Sequence, residues 1–476
     1  MTTALEFLIF ILKQKELMKT ILFALLMPVL ILAADRTDQG FMPIFDGKTL
    51  DGWLGQDMSF WSVEDGAITA TITSNHKPPM NQYLVWQNGY TGDFELKLDF
   101  RLAGDSAKSA NGGFQFRSRR LPNGDVAGYQ VDNNRDTAWK ARLYDEFGRH
   151  DLAFMGEKSV FDANGKRTVE KLALEEGAAN FEIFDWHEYH LIAKGRHLTL
   201  YVNGKLIAET TDNDPYSYDA LGLLALQLHT GPPQKTQFKN IRMKKLGPDV
   251  AAGSQAALLA EAALCWKLGA RTNSHQPPLK PQGKIVAELT RPQSNLPFAR
   301  LDSACFDVQI DLNEPRKWNM AGEAMTVWLR LRVPDGKWNS ALIGKRGSQD
   351  SCNFNLFSTD LAETPGPDIC FEIGTDRGLV MTSFPVSKIN AGDWHDLVGR
   401  YDGRTIQILC DGKVMSKKPA TGSLTLIREP LLIGAVSDHG KMVRPFRGEM
   451  EFAGLWTRPL TDKELAAIVK GWRWKD

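Results

Sequence analysis

Three residues in the first half of the chain, Asp132, Glu146 and His229, have the types that acid–base chemistry requires. Gln130 and Asp132 lie two positions apart, so a strand would present both side chains on one face. Glu146 falls in a predicted loop, and His229 closes an alternating segment before a Gly-Pro-Pro turn at 231–233. Brought into one pocket, a carboxyl group and an imidazole could protonate a leaving group and remove a proton. We therefore predict Glu146, His229 and Asp132 as catalytic candidates.

Positive and aromatic side chains near these positions are candidates for binding a substrate. Arg117 alternates with Phe114 and Phe116, which places it on the face opposite to those rings. With Gln130, the predicted binding residues are Arg117, Arg149, Lys140 and Trp139. Guanidinium and ammonium groups donate hydrogen bonds to oxygen atoms, and the flat ring of Trp139 could stack on a sugar.

Each candidate also has a purely structural interpretation. Arg117 and Asp132 could form a cross-strand ion pair, and Gln130 could donate to a neighbouring strand. His229 could be a rim histidine with satisfied hydrogen bonds, and Glu146 an exposed turn residue. A divalent metal ion on Asp132, Glu146 and His229 is an open alternative, although the sequence has no compact ligand motif such as HExxH.

Strand signals dominate from residue 40 onward. In residues 94–101 apolar and charged side chains alternate strictly, which is typical of an antiparallel strand with one solvated face. Asn203-Gly204 and Asp411-Gly412 each separate two short strand-like segments, and these dipeptides are strong signals for two-residue hairpin turns. Helix signals are scarce. They occur in an alanine-rich stretch at 251–264 and in residues 462–470, where Thr461 and Glu464 form a capping box.

One pattern occurs twice. The segment that begins with Trp186-His187 and reaches Asn203-Gly204 returns 208 residues later, from Trp394-His395 to Asp411-Gly412. Because turns and flanking residues keep the same spacing, we interpret the two segments as one fold present twice. His187 and His395 occupy equivalent places and are therefore expected to be features of the fold.

These signals predict an all-β protein made of two antiparallel β-sandwich (jelly-roll) domains in tandem. The predicted domains are residues 40–246 and 262–476, with a linker at 247–275. Lys+Arg and Asp+Glu both number 57, so the formal net charge is zero. This balance gives no support for binding to nucleic acid or to an anionic membrane.

The N-terminus has the layout of a signal peptide. A positive start at Met18-Lys19 precedes an apolar run at 21–34 that closes with Ala33-Ala34. We predict residues 1–34 as the signal peptide, with Met18 as an alternative start. We expect a periplasmic or extracellular protein without a transmembrane anchor in its mature form. All five cysteines lie in the second half, so one or two disulfides and five buried thiols are both compatible with the sequence.

Residues 42–246 resemble the 3-keto-disaccharide hydrolase family, also described as 3-keto-glucoside 1,2-lyase/3-keto-2-hydroxy-glucal hydratase. Residues 262–470 are similar to laminin-G/concanavalin-like domains. The first resemblance is carried by the segments 45–53, 92–96, 111–118, 128–132, 143–149, 226–233 and 238–241. The second is carried by Trp394-His395-Asp396, the Asp411-Gly412 hairpin and residues 452–460. The resemblances imply that both sandwiches are concanavalin-like.

The first resemblance also implies a reaction. A ketone at C3 of a sugar acidifies the C2 hydrogen, a base removes this proton, and the C1 oxygen leaves with help from an acid. Water then adds across the double bond, so the net result is hydrolysis of a 3-keto glycoside. Such a site would use an oligosaccharide or glycoside, supplied by a partner sugar 3-dehydrogenase. The alternative function is a non-catalytic glycan-binding protein with two lectin-like modules, because this fold serves both roles.

Overall fold

The computed structural model describes residues 38–472 except 104–109, 135–138, 215–216, 252, 268–278, 286–298, 309–318, 335, 348–350, 362–364, 391 and 439–440. The predicted signal peptide, including Met18, lies outside the described residues. None of the helices in the described part of the chain combines the length and the apolar character needed to span a bilayer.

The first unit contains seventeen of the strands that the structure describes. Their bounds are β1 Met42–Pro43, β2 Trp53–Gly55, β3 Trp61–Glu64, β4 Ala67–Ile72, β5 Gln82–Trp86, β6 Phe94–Ala103, β7 Asn111–Arg120, β8 Val126–Asn134, β9 Arg142–Glu146, β10 His150–Ala153, β11 Glu157–Phe161, β12 Arg167–Lys171, β13 His187–Lys194, β14 His197–Val202, β15 Lys205–Asp212, β16 Leu223–Leu228 and β17 Gln234–Lys245. A short 3₁₀ turn, Met58–Phe60, precedes β3.

Two sheets form this unit. One has the order β12-β11-β15-β14-β13-β6-β17-β4-β3, with β1 paired to β17, and the other has the order β10-β9-β8-β7-β16-β5-β2. All pairs are antiparallel except the parallel pair of β11 and β15. The inner faces of both sheets bury one apolar core, to which Leu98 and Phe100 contribute from β6 and Phe114 and Val131 from the other sheet. Burial of this alternating apolar set stabilises the sandwich.

The second unit contains fifteen strands and two helices in the described residues. Their bounds are α1 Gln255–Glu261, β18 Leu264–Lys267, β19 Leu279–Ile285, β20 Ala299–Val308, β21 Met325–Arg332, β22 Ala341–Arg346, β23 Cys352–Asp360, β24 Pro367–Thr375, β25 Gly378–Pro385, β26 His395–Tyr401, β27 Thr405–Cys410, β28 Lys413–Pro419, β29 Leu432–Ile433, β30 Val436–Asp438, β31 Lys441–Val443, β32 Phe446–Trp456 and α2 Asp462–Trp472. A 3₁₀ turn, Val386–Lys388, follows β25.

The strands of this unit follow the order β25-β24-β23-β22-β29-β20-β32-β21-β26-β27-β28, with β18 on β32 and β19 on β20. The sheet folds over, so that β25 contacts β28 and β24 contacts β27. A second apolar core, with Val327, Leu356 and Phe371, fills the space between the two layers. The prediction of two antiparallel jelly-roll sandwiches in tandem is therefore confirmed.

The predicted repeat is visible in the strands themselves. β13, β14 and β15 begin at residues 187, 197 and 205, and β26, β27 and β28 begin at residues 395, 405 and 413, which is 208 residues later in each case. The order β15-β14-β13-β6-β17 in the first unit corresponds to β28-β27-β26-β21-β32 in the second.

The two helices lie where the sequence predicts them. α1 occupies the middle of the alanine-rich stretch, and its N-cap Ser254 accepts from the Ala257 amide. The capping box of α2 is formed in both directions between Thr461 and Glu464, at 2.7 and 3.3 Å. β18 pairs with β32, so the second sheet begins inside the predicted linker. The domain boundaries themselves remain a prediction.

Candidate functional site

One face of the seven-stranded sheet points away from the apolar core, and we call it the site face. On β8, Tyr129 and Val131 enter the core, so Gln130 and Asp132 lie on the site face, as the sequence predicts. The strand register places Gln115 opposite Gln130 and Tyr144 on its other side. The same register puts Arg142 next to Asp132 and Glu146 next to Gly128.

A row of amide side chains crosses the centre of the site face. Gln130 Nε2 donates to Gln227 Oε1 at 2.8 Å, and Gln227 Nε2 donates to the Tyr83 hydroxyl at 3.2 Å. Gln115 Nε2 donates to the carbonyl of Val126 at 3.0 Å. The Oε1 atoms of Gln115 and Gln130 are buried and accept no hydrogen bond from any described residue. Buried acceptors without partners are uncommon, and they mark these two positions as candidates for a functional role.

Arg142 and Asp132 form a buried ion pair beside this row. The guanidinium Nε and Nη2 atoms lie 2.8 and 2.7 Å from Asp132 Oδ2. The guanidinium also bonds Asp151 and lies between the rings of Trp139 and Tyr144, at 4.7 and 4.3 Å from their centroids. Burial raises the pKa of Asp132, whereas Arg142 lowers it. The arrangement holds one positive charge on the site face in a fixed position.

Glu146 is a carboxyl group of the site face with a strongly raised pKa. Burial raises its pKa to about 8, and the negative charges of Asp125 and Asp132 act in the same direction. It makes no hydrogen bond or ion pair with any described residue. A carboxyl group with this pKa is largely protonated at pH 7 and can act as a general acid.

His229 lies at the end of β16, next to this group of side chains. Its Nδ1 atom is 2.6 Å from the carbonyl oxygen of Thr230, which can only accept a hydrogen bond, so Nδ1 carries the proton in the neutral ring. The Nε2 atom then has a free lone pair. The Thr230 amide is fixed by Asn81 at 2.9 Å, and Asp132 is close enough for the His229 charge to affect its pKa. The ring is therefore oriented as a base.

The structure places the side chain of Arg117 in the interior of the first unit and not on the site face. A register shift between Phe116 and Arg119 and a positive φ of 48° at Arg117 interrupt the alternation of β7. The guanidinium is fully buried and donates to Gly92 O and Gly195 O at 2.8 Å each, and to Asp93 Oδ1 at 2.9 Å. The β-bulge explains why simple alternation gives the wrong face, and Arg117 does not pair with Asp132.

Arg149 and Lys140 are also directed away from the site face. Arg149 is bound by Asp145 and by both carboxylate oxygens of Asp212. Lys140 donates to the carbonyls of Ala179 and Phe181 at 3.2 and 2.7 Å. Since these donors are already used inside the fold, neither side chain is available to a ligand. Trp139 is 42% exposed and covers Arg142.

The structure thus brings together Gln130, Asp132, Glu146, His229 and Trp139. It adds residues that sequence reasoning did not select as site residues: Tyr83, Gln115, Asp125, Arg142, Tyr144 and Gln227. Three of these had a usable signal, since Gln227 precedes His229 by two positions, Tyr144 precedes Glu146 by two, and Gln115 alternates with core phenylalanines. Asp125 lies in the β7–β8 turn, and nothing local in the sequence indicates that its charge reaches Glu146.

Asp132, Glu146 and His229 do not form a metal-ligand cluster. In the described residues, the group of three possible ligand atoms within 4.8 Å of one another is His395, Cys410 and Asp411, in the second unit. Asp132 instead uses Oδ2 to bind Arg142. The geometry of the site face is therefore that of acid–base side chains around a fixed guanidinium.

A cavity of about 600 Å³ adjoins the site face. Leu54 and Val85 line it from the site face, and α1 and the segment after β32 close it with Glu261 and Arg458. Val85 also belongs to a small apolar cluster with Tyr83 and Val126, which separates the cavity from the amide row. The two units therefore share a cleft, and none of Gln130, Asp132, Glu146, His229 and Trp139 lines it.

Comparison with known families gives two matches. Residues 40–244 match the model of the 3-keto-alpha-glucoside-1,2-lyase-like domain, and residues 307–466 match the concanavalin A-like lectin/glucanases superfamily. The order and extent of the matches confirm the two predicted resemblances. They indicate a carbohydrate-active protein of glycosidase type with a lectin-like domain. No curated protein matches the chain.

Several solved structures are similar in part. A putative glycosyl hydrolase from Parabacteroides distasonis is 19% identical, with 45% of this chain and 98% of that chain covered and a TM-score of 0.31. The carbohydrate-binding module CBM66 from Bacillus subtilis is 12% identical, covering 41% and 96%, with a TM-score of 0.27. Domains LG4-5 of the mouse laminin alpha1 chain are 14% identical, covering 80% and 89%, with a TM-score of 0.24. These scores are too low to support an inference about function.

Proposed function

We propose that the first unit cleaves 3-keto glycosides by proton abstraction at C2, elimination at C1 and hydration. The observation that carries the proposal is Glu146, a carboxyl group with a pKa of about 8. It shares the site face with a fixed guanidinium and an oriented imidazole. An acid, a base and a positive charge are the three groups that this elimination needs.

The first step assigned to the site is removal of the C2 proton by His229. Its Nε2 lone pair is free because Nδ1–H is bound to the carbonyl of Thr230. Negative charge then develops on the ketone oxygen at C3. Arg142, held by Asp132 and Asp151, provides positive charge on the same face without a rearrangement. Asp132 acts here by holding Arg142 and maintaining the polarity of the site.

Glu146 completes the elimination by protonating the glycosidic oxygen as the C1–O bond breaks. The electrons of the C2–H bond form the C1–C2 double bond, and the aglycone leaves as an alcohol. Water then adds its hydroxyl to C1 while Glu146 carboxylate takes the proton of that water. The His229 imidazolium returns its proton to C2, so both side chains regain their starting states and one water molecule is consumed.

Substrate binding is assigned to the polar row and to one aromatic ring. The Oε1 atoms of Gln115 and Gln130 lack partners but are fully buried, so the row would have to open for them to accept hydrogen bonds from sugar hydroxyls. Trp139, which is partly exposed over Arg142, would stack on a sugar ring. The aglycone would extend into the cleft shared with the second unit. That unit would bind glycan, and the mature protein would act after export on 3-keto sugars made by a dehydrogenase.

The alternative function, glycan binding without catalysis, uses part of the same evidence. The free amide acceptors and Trp139 would serve binding as well as turnover. A binding protein, however, gains nothing from a half-buried carboxyl group without a partner such as Glu146, whose ionisation destabilises the fold. The two functions therefore differ in what Glu146 is expected to do.

The test uses purified full-length mature protein with 3-keto-trehalose and a 3-keto-glucoside, with and without EDTA. Released sugar and any 2-hydroxy-glucal intermediate are followed. We expect turnover that falls by about 10²–10⁴-fold in Glu146→Gln and in His229→Ala, since general acid–base groups contribute this much. Arg142 carries the positive charge in the proposal, so turnover should persist in EDTA.

Matched controls are available in the same unit. Glu170 is exposed on β12 and His197 lies on β14, away from the site face, so Glu170→Gln and His197→Ala should retain wild-type turnover. Absence of turnover on both substrates, together with saturable binding of an unoxidised glycan, would reject the enzyme in favour of the binding protein.

A further inference from the structure

The repeated hairpin contains the same histidine in both units, and its surroundings differ. In the first unit, His187 Nε2 lies 2.8 Å from the carbonyl oxygen of Glu182, so Nε2 carries the proton of the neutral ring. Its Nδ1 atom accepts from Asn203 Nδ2 at 2.9 Å. The amide orientation is consistent, because Asn203 Oδ1 accepts from the Glu188 amide at 3.2 Å. Every polar atom of this arrangement has a suitable partner.

In the second unit, the same backbone carries a different set of side chains. His395 Nε2 lies 3.0 Å from the carbonyl of Asn390, the equivalent of the bond in the first unit. Asn203 is replaced by Asp411 and Val202 by Cys410, 208 residues later. Nδ1 of His395 therefore faces Asp411 Oδ2 at 2.8 Å and Cys410 Sγ at 3.8 Å. A donor amide and an apolar side chain have become a carboxylate and a thiol.

Three ligand-type atoms now surround one point. Cys410 Sγ is 3.6 Å from Asp411 Oδ2, and the three atoms lie within 4.8 Å of one another. Atoms bound tetrahedrally to a zinc ion at about 2.0–2.3 Å are separated by roughly 3.3–3.8 Å. The distances from Cys410 Sγ to His395 Nδ1 and to Asp411 Oδ2, 3.8 and 3.6 Å, match this spacing. The distance from His395 Nδ1 to Asp411 Oδ2, 2.8 Å, would increase by about half an ångström. His395 and Cys410 are buried and Asp411 is half-exposed, so a water molecule could complete the coordination from solvent.

The outer hydrogen bonds also suit ligands. A metal-binding histidine normally donates its other ring N–H to a backbone carbonyl or carboxylate, which fixes the tautomer. Asn390 O plays this part for His395. Asp411 uses Oδ1 to accept from the Asp396 amide at 2.9 Å, which leaves Oδ2 directed toward His395 and Cys410. The hairpin of the first unit provides the same outer bonds around residues that cannot bind a cation together.

We propose that His395 Nδ1, Cys410 Sγ and Asp411 Oδ2 bind one zinc-type divalent cation. Imidazole and thiolate select such a borderline ion over Mg²⁺ or Ca²⁺, which prefer oxygen ligands. Binding transfers the thiol proton to solvent, and the thiolate then coordinates the ion. The ion ties the first residue of β26 to the end of β27 and to the turn that follows it. The site lies in the second unit and does not depend on the proposed reaction.

The test titrates metal-free full-length protein with Zn²⁺, and separately with Co²⁺. We expect one equivalent bound, a thiolate-to-cobalt charge-transfer band in the near-ultraviolet, and a higher unfolding temperature with Zn²⁺. The matched variant is Cys410→Val/Asp411→Asn, which copies the residues of the first unit and should fold as that hairpin does. This variant should not bind the one equivalent of metal ion, and it should show neither the charge-transfer band nor the stabilisation.

A second variant decides the result if the double variant fails to fold. Asp411→Asn alone restores the amide donor and should weaken Zn²⁺ binding by at least about tenfold, the loss expected even for an outer-shell change. Equal Zn²⁺ stoichiometry and equal cobalt spectra in wild type and variant would overturn the proposal. The trio would then be an ion pair of His395 and Asp411 beside a buried thiol.

Discussion

The two units share a strand plan and a repeated hairpin, but the outer faces of their second layers differ. In the first unit this face carries Gln130, Asp132 and Glu146, with two unsatisfied acceptors. In the second unit, Phe357 and Cys370 pair across β23 and β24 and join an apolar cluster with Ala341 and Val436. Glu372, on the same face as Cys370, is paired with Arg346 at 2.7 Å, whereas Glu146 has no partner among the described residues.

The same fold therefore carries an unpaired carboxyl group on the outer face of one unit and a paired one on that of the other. The outer face of the second unit combines an apolar cluster with a paired carboxylate, Glu372, and it also contains two buried acceptors without partners, Asn355 Oδ1 and Asp368 Oδ1. The first unit differs in the carboxyl group of Glu146, which has a raised pKa and no partner among the described residues, a combination that costs stability and is typical of a functional site. The predictions below test this contrast.

The largest effect is expected from Arg117, which the structure assigns to the interior. Arg117→Met removes a fully buried guanidinium, so the Gly92 carbonyl loses this donor, and Asp93 and the Gly195 carbonyl keep only the Gly195 amide and the Tyr218 hydroxyl, respectively. We expect a loss of about 3–5 kcal/mol in the free energy of unfolding. Urea denaturation measures it. Turnover per folded molecule should be unchanged, and a selective loss of turnover at full stability would return Arg117 to the site.

The apolar outer face of the second unit is tested by Phe357→Ala. Phe357 is buried in the cluster with Ala341, Cys370 and Val436, so truncation should cost about 3 kcal/mol. Denaturant unfolding of the full chain should show the loss in the transition of the second unit. Cleavage of 3-keto glycosides should be retained. A large fall in turnover without unfolding would mean that this face takes part in the reaction.

Glu146→Gln should lower activity and raise stability in alkaline solution. The pKa of Glu146 is raised from about 4.5 in the unfolded chain to about 8, so the folded state binds the proton more tightly. The stability of the wild-type protein therefore falls as pH rises from about 4.5 to 8, and the loss is complete above pH 8. We expect the variant to be about 1–3 kcal/mol more stable than wild type at pH 9. Thermal unfolding of wild type and variant at pH 5 and pH 9 measures this difference. Equal stabilities of the two proteins at both pH values would contradict the prediction.

The smallest effect concerns the origin of the raised pKa. Asp125 is one of the charges that raise the pKa of Glu146, so Asp125→Asn should lower it. The reaction needs protonated Glu146, and the alkaline limb of the pH–rate profile should move to lower pH by roughly half a unit. Asp99→Asn, on β6 of the other sheet, is the comparison variant. An unchanged limb in Asp125→Asn would show that burial alone sets this pKa.

Much of the site could be predicted because β8 is regular. Gln130 and Asp132 share a face since alternation is a local property of an extended strand, and the core contacts of Tyr129 and Val131 fix which face it is. His229 was identifiable for the same reason on β16. The repeat was identifiable because the Trp-His pairs at 186–187 and 394–395 and the turns at 203–204 and 411–412 keep the same spacing.

Other residues could not be placed from local patterns. The bulge at Arg117 reverses its side chain, and the sequence does not mark the bulge. Arg149 and Lys140 look available in the sequence, but Asp212, Ala179 and Phe181 reach them from distant segments. Arg142 escaped notice because its importance comes from Asp132, on the adjacent strand.

The sequence by itself determined the all-β class, the two units, the hairpins and the side-chain order on regular strands. These features follow from periodicity and turn propensity, which act over a few residues. The tertiary structure alone decided which charges lie together. The proton affinity of Glu146 depends on Asp125 and Asp132 across neighbouring strands, and the ligand trio depends on a ring turned by Asn390. Electrostatic energy depends on distance in space and on burial, and neither is a property of a short stretch of sequence.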